Sequence, residues 1–128
     1  MGLNSENYVD EAEKVIRSMV VKDRNGNDRI SVTTSKIRNI LSMVTELYDD
    51  VIHEPGEELS KEIVERIQYL RLRIAYEAGR DPSVREFVDK SKLLSHVKQI
   101  GNKKKTFLLF CRYVEALVAY HRYCGGEN

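Results

Sequence analysis

The sequence predicts an all-α protein folded as a five-helix bundle. Apolar residues recur at helical spacing in five stretches, and the alternation of apolar and polar residues that marks a strand is nearly absent. The 128 residues are 41% apolar and 32% charged, which suits a globular chain with one hydrophobic core. We therefore expect a single helical domain over residues 1–128, with residues 1–7 disordered.

The first helix is predicted over residues 8–21, where apolar residues form one stripe. A polar segment, residues 22–33, follows it and contains Asn25-Gly26, a strong turn dipeptide between two short apolar runs. Such a segment is able to form a small hairpin. We favour a plain loop between two helices over this hairpin.

The second helix is predicted over residues 35–51, with Thr33 or Thr34 as its N-cap. The third and longest helix is predicted over residues 57–78, after a proline-glycine break. Its expected C-cap is Gly79, because glycine tolerates the left-handed backbone that often ends a helix.

The fourth helix is predicted over residues 82–100, and its apolar stripe changes phase so that we expect a bend or break near Ser91. The fifth helix, residues 105–123, is apolar almost all round. We expect it to be largely buried at the centre of the bundle, or partly covered by a second protein. On this helix Arg112 and Glu115 are expected to form a structural ion pair.

Charge and hydropathy exclude several classes of protein. The formal net charge is +1, so any RNA contact must come from a local patch of charge. No run approaches 18 apolar residues, and the first residues lack the features of a secretion signal. We therefore expect a cytoplasmic protein that makes no membrane contact.

The sequence carries no recognisable catalytic or metal-binding pattern. His53, His96 and His121 are scattered and lack the spacing of a zinc site. The glycines mark helix ends and turns rather than a phosphate-binding loop. Cys111 and Cys124 lie on one predicted helix, roughly 20 Å apart, so they are expected to stay reduced. We expect no cofactor, no metal and no enzymatic activity.

A basic stripe is predicted on the third helix. Arg66, Arg73 and Arg80 recur every seven residues and so lie nearly in line, with Tyr69 and Tyr76 beside them. Guanidinium groups suit phosphate contacts and tyrosine rings suit base stacking. This pattern would follow the backbone of a single strand without reading its bases.

The same spacing is equally compatible with an ordinary solvated face, because Glu62 and Glu77 lie close enough to pair with these arginines. Further candidate phosphate contacts are Lys36 and Arg38 at the start of the second helix, and Lys103, Lys104 and Lys105 before the fifth. The lysine triplet is more typical of a solvated loop than of a binding site.

Three segments resemble a known family. Residues 107–123, FLLFCRYVEALVAYHRY, followed by two glycines, resemble the last helix of the small subunit of type III-A CRISPR (Csm) effector complexes. Residues 33–38, TTSKIR, and residues 72–80, LRIAYEAGR, resemble the same family in the same order. The likeness covers about residues 30–126.

The resemblance implies a non-catalytic helical subunit, several copies of which stack along guide RNA and target RNA beside the backbone subunits and below the large subunit. By position, Lys36, Arg38, Arg73 and Arg80 match basic residues of the family, whereas Arg66 depends on spacing alone. The low net charge predicts weak RNA affinity in isolation. The main competing hypothesis is a helical protein–protein adaptor without RNA contact; a helix-turn-helix regulator and a small enzyme rank lower.

Overall fold

The computed structural model describes residues 2–127 of the chain. Within these residues the chain forms six helices and one two-stranded hairpin. The elements follow in the order α1 (Tyr8–Met19), β1 (Val21–Lys22), β2 (Asp28–Arg29), α2 (Thr34–Val51), α3 (Lys61–Arg80), α4 (Pro82–Ser91), α5 (Leu93–Gln99) and α6 (Lys104–Tyr123). The predicted all-α class holds apart from the hairpin, but the predicted count of five helices is wrong.

The segment before α1 was predicted to be disordered. Met1 lies outside the described residues, so the prediction is not tested there. Nearer to α1, the side chain of Asn7 accepts the backbone N–H of Asn4 at 2.8 Å, and the Asn4 carbonyl accepts the N–H of Tyr8 at 3.2 Å. These bonds form a turn that leads into the helix.

The polar segment after α1 forms the hairpin that we considered less favoured, so the predicted plain loop is wrong. Helix α1 ends at Met19, and β1 pairs antiparallel with β2. One carboxylate oxygen of Asp23 accepts the backbone N–H groups of Asn25 and Asn27, at 2.8 and 2.9 Å. Asp23 thereby supplies the hydrogen bonds that close the turn, and the asparagine-glycine dipeptide lies inside it.

The predicted N-cap of α2 is confirmed, because the hydroxyl of Thr33 accepts the backbone N–H of Lys36 at 3.4 Å, and the helix begins at Thr34, one residue earlier than predicted. Helix α3 begins at Lys61, four residues later than the predicted start at position 57, since Ser60 caps it by accepting the N–H of Ile63 at 3.3 Å. The residues before Ser60 instead pair with the loop that precedes α6.

The C-cap prediction for Gly79 is wrong, because Gly79 lies inside α3 and the helix continues to Arg80. The next residue, Asp81, precedes Pro82, and the residue before a proline rarely adopts a helical backbone conformation. Asp81 is extended, with φ −140° and ψ 110°, and its carboxylate accepts the backbone N–H groups of Ser83 and Val84. One aspartate therefore ends α3 and caps α4.

The predicted break near Ser91 is confirmed and accounts for the sixth helix. Lys92 has a left-handed backbone, with φ 56° and ψ 36°, and separates α4 from α5. The buried hydroxyl of Ser91 donates to the carbonyl of Phe87 at 2.6 Å, a local bond that favours bending. The carbonyl of Ser91 accepts the hydroxyl of Tyr113 of α6 at 2.9 Å, which fixes the break against the core.

The buried apolar residues form one continuous core, to which every helix contributes. Helix α6 packs against α1, α2 and α5, whereas α3 packs against α2, α4 and α5. Helix α6 buries one side and exposes Arg112 and Glu115 to solvent. The expected ion pair between these two residues is not formed within residues 2–127. No helix in the described part of the chain is long and apolar enough to cross a membrane.

Candidate nucleic-acid interface

Helices α2 and α3 pack in opposite directions, and this arrangement brings four of the eight predicted basic residues to one edge. At the start of α2, the Nζ atom of Lys36 lies 2.7 Å from a carboxylate oxygen of Asp81, just beyond the end of α3. At the end of α2, Asp50 accepts a hydrogen bond from Arg66 at 2.6 Å. We use the name α2–α3 face for the surface formed by Lys36, Arg66, Tyr69, Arg73, Tyr76 and Arg80.

The cations of the α2–α3 face are paired with carboxylates in the free protein. Glu77 lies between two arginines, 3.8 Å from Arg73 and 3.1 Å from Arg80. Arg66 pairs with Asp50 rather than with the predicted Glu62. Four cations thus share three carboxylates, which leaves one positive charge on these groups. The predicted pairing with Glu77 is confirmed.

Two groups at the α2–α3 face have pKa values that are shifted in the direction that favours their charged forms. The hydrogen bond from Lys36, with help from Ser83, holds the pKa of Asp81 well below its usual range. The hydrogen bond to Glu77 raises the pKa of Arg80. Asp81 and Arg80 therefore stay ionised around neutral pH.

The two tyrosines of the face are exposed and available for stacking. Tyr69 is 58% exposed and Tyr76 is 60% exposed. The guanidinium carbon of Arg80 lies 5.7 Å from the centre of the Tyr76 ring, within the range of a cation–π contact. A ring that is solvated in the free protein has a flat surface on which a nucleic-acid base is able to stack.

The other predicted contacts are separate from the face or have a structural role. Arg38 is exposed on α2 and has no carboxylate partner among residues 2–127. The lysine triplet lies at the end of the bundle where α2 stops, because Lys104 donates from Nζ to the carbonyl of Glu54 at 2.6 Å. Lys103 and Lys105 beside it are exposed.

Two further cations, Arg71 and Lys98, were not predicted as site residues. They line a groove between α3 and α5, on the other side of α3 from Arg73. A helical projection would have separated Arg71 from the stripe, since residues two apart on a helix differ by roughly 160° in direction. The position of α5 beside Arg71 could be seen only in the packed structure.

The two cysteines and two of the three histidines are buried or half-buried in this fold. Cys111 and Cys124 are buried and unbridged, and burial raises the pKa of the Cys111 thiol to about 12. Burial also lowers the pKa of His96 and of His121. No group of three or more His, Cys, Asp or Glu residues within residues 2–127 is arranged to hold a metal ion.

Comparison of the sequence with models of known protein families identifies one family that matches almost the whole chain. The family model described as Csm2 Type III-A matches residues 6–127. The chain belongs to the type III-A Csm2 family. Membership confirms the resemblance to the small subunit of type III-A CRISPR (Csm) effector complexes that the three sequence segments indicated.

Relatives of the Csm2 family from three genera match nearly the full chain, each described as CRISPR system Cms protein Csm2. The protein from Streptococcus thermophilus is 40% identical over 126 residues, which cover 98% of each chain. The protein from Mycobacterium tuberculosis strain CDC 1551 / Oshkosh is 38% identical over 128 residues, covering 100% of this chain and 99% of the relative. The protein from Enterococcus italicus is 39% identical over 120 residues, covering 88% and 85%.

Proposed function

We propose that this chain is a non-catalytic small subunit of a type III-A CRISPR effector complex. In this role its α2–α3 face contacts the sugar–phosphate backbone of guide RNA and target RNA without reading base sequence. The partners are other copies of the chain and the backbone and large subunits of the complex. The observation that carries the proposal is the alignment of Lys36, Arg66, Arg73 and Arg80 along one edge with exposed tyrosines between them.

The carboxylates on the face do not exclude phosphate binding. Ion pairs at an exposed surface contribute little to stability, because water and salt screen them. A phosphate group offers an arginine the same bidentate geometry as a carboxylate, so RNA is able to replace Asp50 or Glu77 as the partner. The cost of this exchange lowers affinity and makes binding strongly dependent on salt.

Contacts of this kind favour recognition of a backbone over recognition of bases. Phosphate contacts position a strand but carry no sequence information, and stacking on tyrosine tolerates any base. A subunit that follows guide and target of any sequence needs this property. The sequence-independent chemistry of arginine and tyrosine on the α2–α3 face therefore suits the proposed role.

A protein–protein adaptor without RNA contact is the second candidate function. It is favoured by Leu72, which is 62% exposed on α3 between Tyr69 and Tyr76. Exposed apolar side chains that form a continuous surface often mark a protein interface. In this hypothesis the paired arginines keep the surface solvated and have no ligand.

The two functions differ in what happens when the arginines are removed from the assembled complex. We expect R73A/R80A to weaken capture of target RNA and to lower the slope of log affinity against log salt by about 1.4, since each lost contact with a single strand removes about 0.7. The matched control is R17A/R85A, which removes two exposed arginines that are also paired with carboxylates, on α1 and α4.

Capture is measured by filter binding of labelled target RNA at a series of salt concentrations, with circular dichroism to verify the fold of each variant. If R73A/R80A and R17A/R85A captured RNA with the same affinity and salt slope, the α2–α3 face would not be an RNA contact and the adaptor function would be favoured. A native assembly purified without guide RNA would also contradict the proposal.

A further inference from the structure

A second groove lies on the other side of α3, where α5 packs against it. Gln68 and Arg71 of α3 form one wall, and Ser95, Lys98 and Gln99 of α5 form the other. The groove continues past Lys98 toward the loop before α6, where a second concave region shares Gln68, Arg71 and Lys98 and is also lined by Asn102. We use the name α3–α5 groove for these residues.

The cations of the α3–α5 groove differ from those of the α2–α3 face. Arg71 is half-buried, and its guanidinium makes no hydrogen bond or ion pair within residues 2–127. Lys98 is exposed and likewise has no carboxylate partner in the described chain. Both cations are therefore available for an anionic ligand without first losing a protein partner.

The remaining residues of the groove are uncharged: polar side chains line it together with apolar ones, among them Leu72, Ala75, Leu94, Ile67 and Val97. No carboxylate lines either part of it, and the amides of Gln68, Gln99 and Asn102 accompany the hydroxyl of Ser95. At the edge of the groove, the side chain of Asn102 donates to Glu58 at 3.2 Å. Cations with amides and a hydroxyl match a ligand that combines phosphate oxygens with sugar hydroxyls.

The groove and the α2–α3 face are unable to hold the same phosphate. Arg71 and Arg73 differ by roughly 160° in direction around α3. The exposed side chains of Tyr69, Leu72 and Tyr76 lie on the outer surface of α3 between these two directions. Helix α3 therefore presents cations on both of its sides, with an apolar ridge between them.

We propose that the α3–α5 groove is a second binding site for a sugar–phosphate backbone, with Arg71 and Lys98 as its phosphate contacts. The proposal rests on the proposed function in taking RNA as the ligand, but it uses a different surface. RNA is favoured over an acidic polypeptide because the amides and the hydroxyl of the groove pair with sugar and phosphate oxygens along a strand.

The test compares R71Q/K98Q with R24Q/R122Q in the full-length purified chain. Arg24 and Arg122 are exposed on the hairpin turn and at the end of α6, and neither has a carboxylate partner within residues 2–127, so both double variants remove two unpaired cations. Binding of a fluorescent 20-nucleotide oligouridylate is measured by anisotropy, from low salt upward. We expect R71Q/K98Q to lower the salt slope by about 1.4 relative to R24Q/R122Q. The charge-conserving variant R71K/K98R should retain the wild-type slope.

Each of the following outcomes would contradict the proposed binding site in the α3–α5 groove. Equal slopes for R71Q/K98Q and R24Q/R122Q would show that the groove contributes only bulk charge, while leaving the proposed function standing. Loss of binding to a polyglutamate peptide in R71Q/K98Q, with an unchanged RNA slope, would assign the groove to an acidic polypeptide. If the wild-type chain bound no RNA at low salt, the proposed RNA site in the α3–α5 groove would also be refuted. The capture experiment with R73A/R80A would still test the proposed function separately.

Discussion

His121 is a fully buried histidine that connects α6 to the loop before α2. Its Nε2 atom lies 2.7 Å from the carbonyl of Val32, so this nitrogen carries the proton and donates it. Its Nδ1 atom lies 3.5 Å from the hydroxyl of Thr34. Gly126 packs directly against the ring, where a Cβ atom would lie 2.1 Å from it. The neutral imidazole therefore holds the start of α2, and with it Lys36, in place.

The buried position of His121 predicts loss of stability in mild acid. Burial lowers the pKa of His121, and the charge of Arg122 lowers it further, against the opposing effect of the Val32 carbonyl. Since the unfolded chain binds a proton near pH 6.5 and the folded chain binds it only at lower pH, the free energy of unfolding should fall as pH drops below about 6.5. His96, whose pKa burial also lowers, should act in the same direction.

Urea unfolding at pH 7.5 and pH 5.5 measures this effect. We expect H121Q to unfold with a free energy about 1–3 kcal/mol lower at pH 7.5, because a buried hydrogen bond is lost or misplaced, and to show a smaller difference between the two pH values. The control H53Q changes an exposed histidine. A pH dependence identical in wild type and H121Q would show that His121 does not titrate on unfolding.

The junction of α4 and α5 is a helix break formed by a residue that is poorly suited to its backbone. Lys92 is the one non-glycine residue with positive φ among residues 2–127. A left-handed backbone is costly for an L-residue because Cβ approaches the following carbonyl. The bond from Tyr113 to the carbonyl of Ser91 and the buried apolar residues on either side hold the break in place.

Replacing Lys92 by glycine should therefore stabilise the fold. We expect K92G to raise the free energy of unfolding by about 0.5–1 kcal/mol, the relief of the left-handed conformation less the added entropy of glycine. K90G, two residues earlier in α4, should lower it by about 0.5–1 kcal/mol, because the backbone there is helical. Equal effects of the two substitutions in chemical denaturation would contradict this view of the break.

The whole molecule carries little net charge for a protein proposed to bind RNA. The formal charge is +1, and four of the predicted basic residues already pair with carboxylates in the free protein. On the proposed function, we therefore expect a single copy to bind RNA weakly. When several copies contact one strand, each additional contact is intramolecular and affinity rises without new chemistry.

The assembled complex should bind an oligonucleotide that is not complementary to its guide RNA at least about 100-fold more tightly than the isolated chain binds the same oligonucleotide. Both affinities are measured by anisotropy in the same salt. A complex assembled without this chain is the control, and it should bind this oligonucleotide less tightly than the complete one. An isolated chain with the affinity of the complex would argue against dependence on assembly.

Helix positions were predictable because their signals are local. Thr33 begins α2 where a cap residue was expected, and the change of apolar phase near Ser91 marked the break at Lys92. The predictions were wrong where a side chain favoured a different local structure. Asp23 closed a hairpin in place of a loop, and Asp81 ended α3 two residues beyond the position 78 predicted from Gly79.

The basic stripe on α3 and the membership of the Csm2 family were readable from the chain alone, since helical spacing and the order of short segments are properties of sequence. The carboxylates that pair with Arg66 and Lys36 could not be predicted from the sequence. Arg66 meets Asp50, and Lys36 meets Asp81, only because α2 and α3 pack in opposite directions. The same packing of α5 against α3 decides that Arg71 and Lys98 share one groove. Helix orientation depends on burial of the whole apolar surface in one core, a long-range property that no local pattern of residues contains.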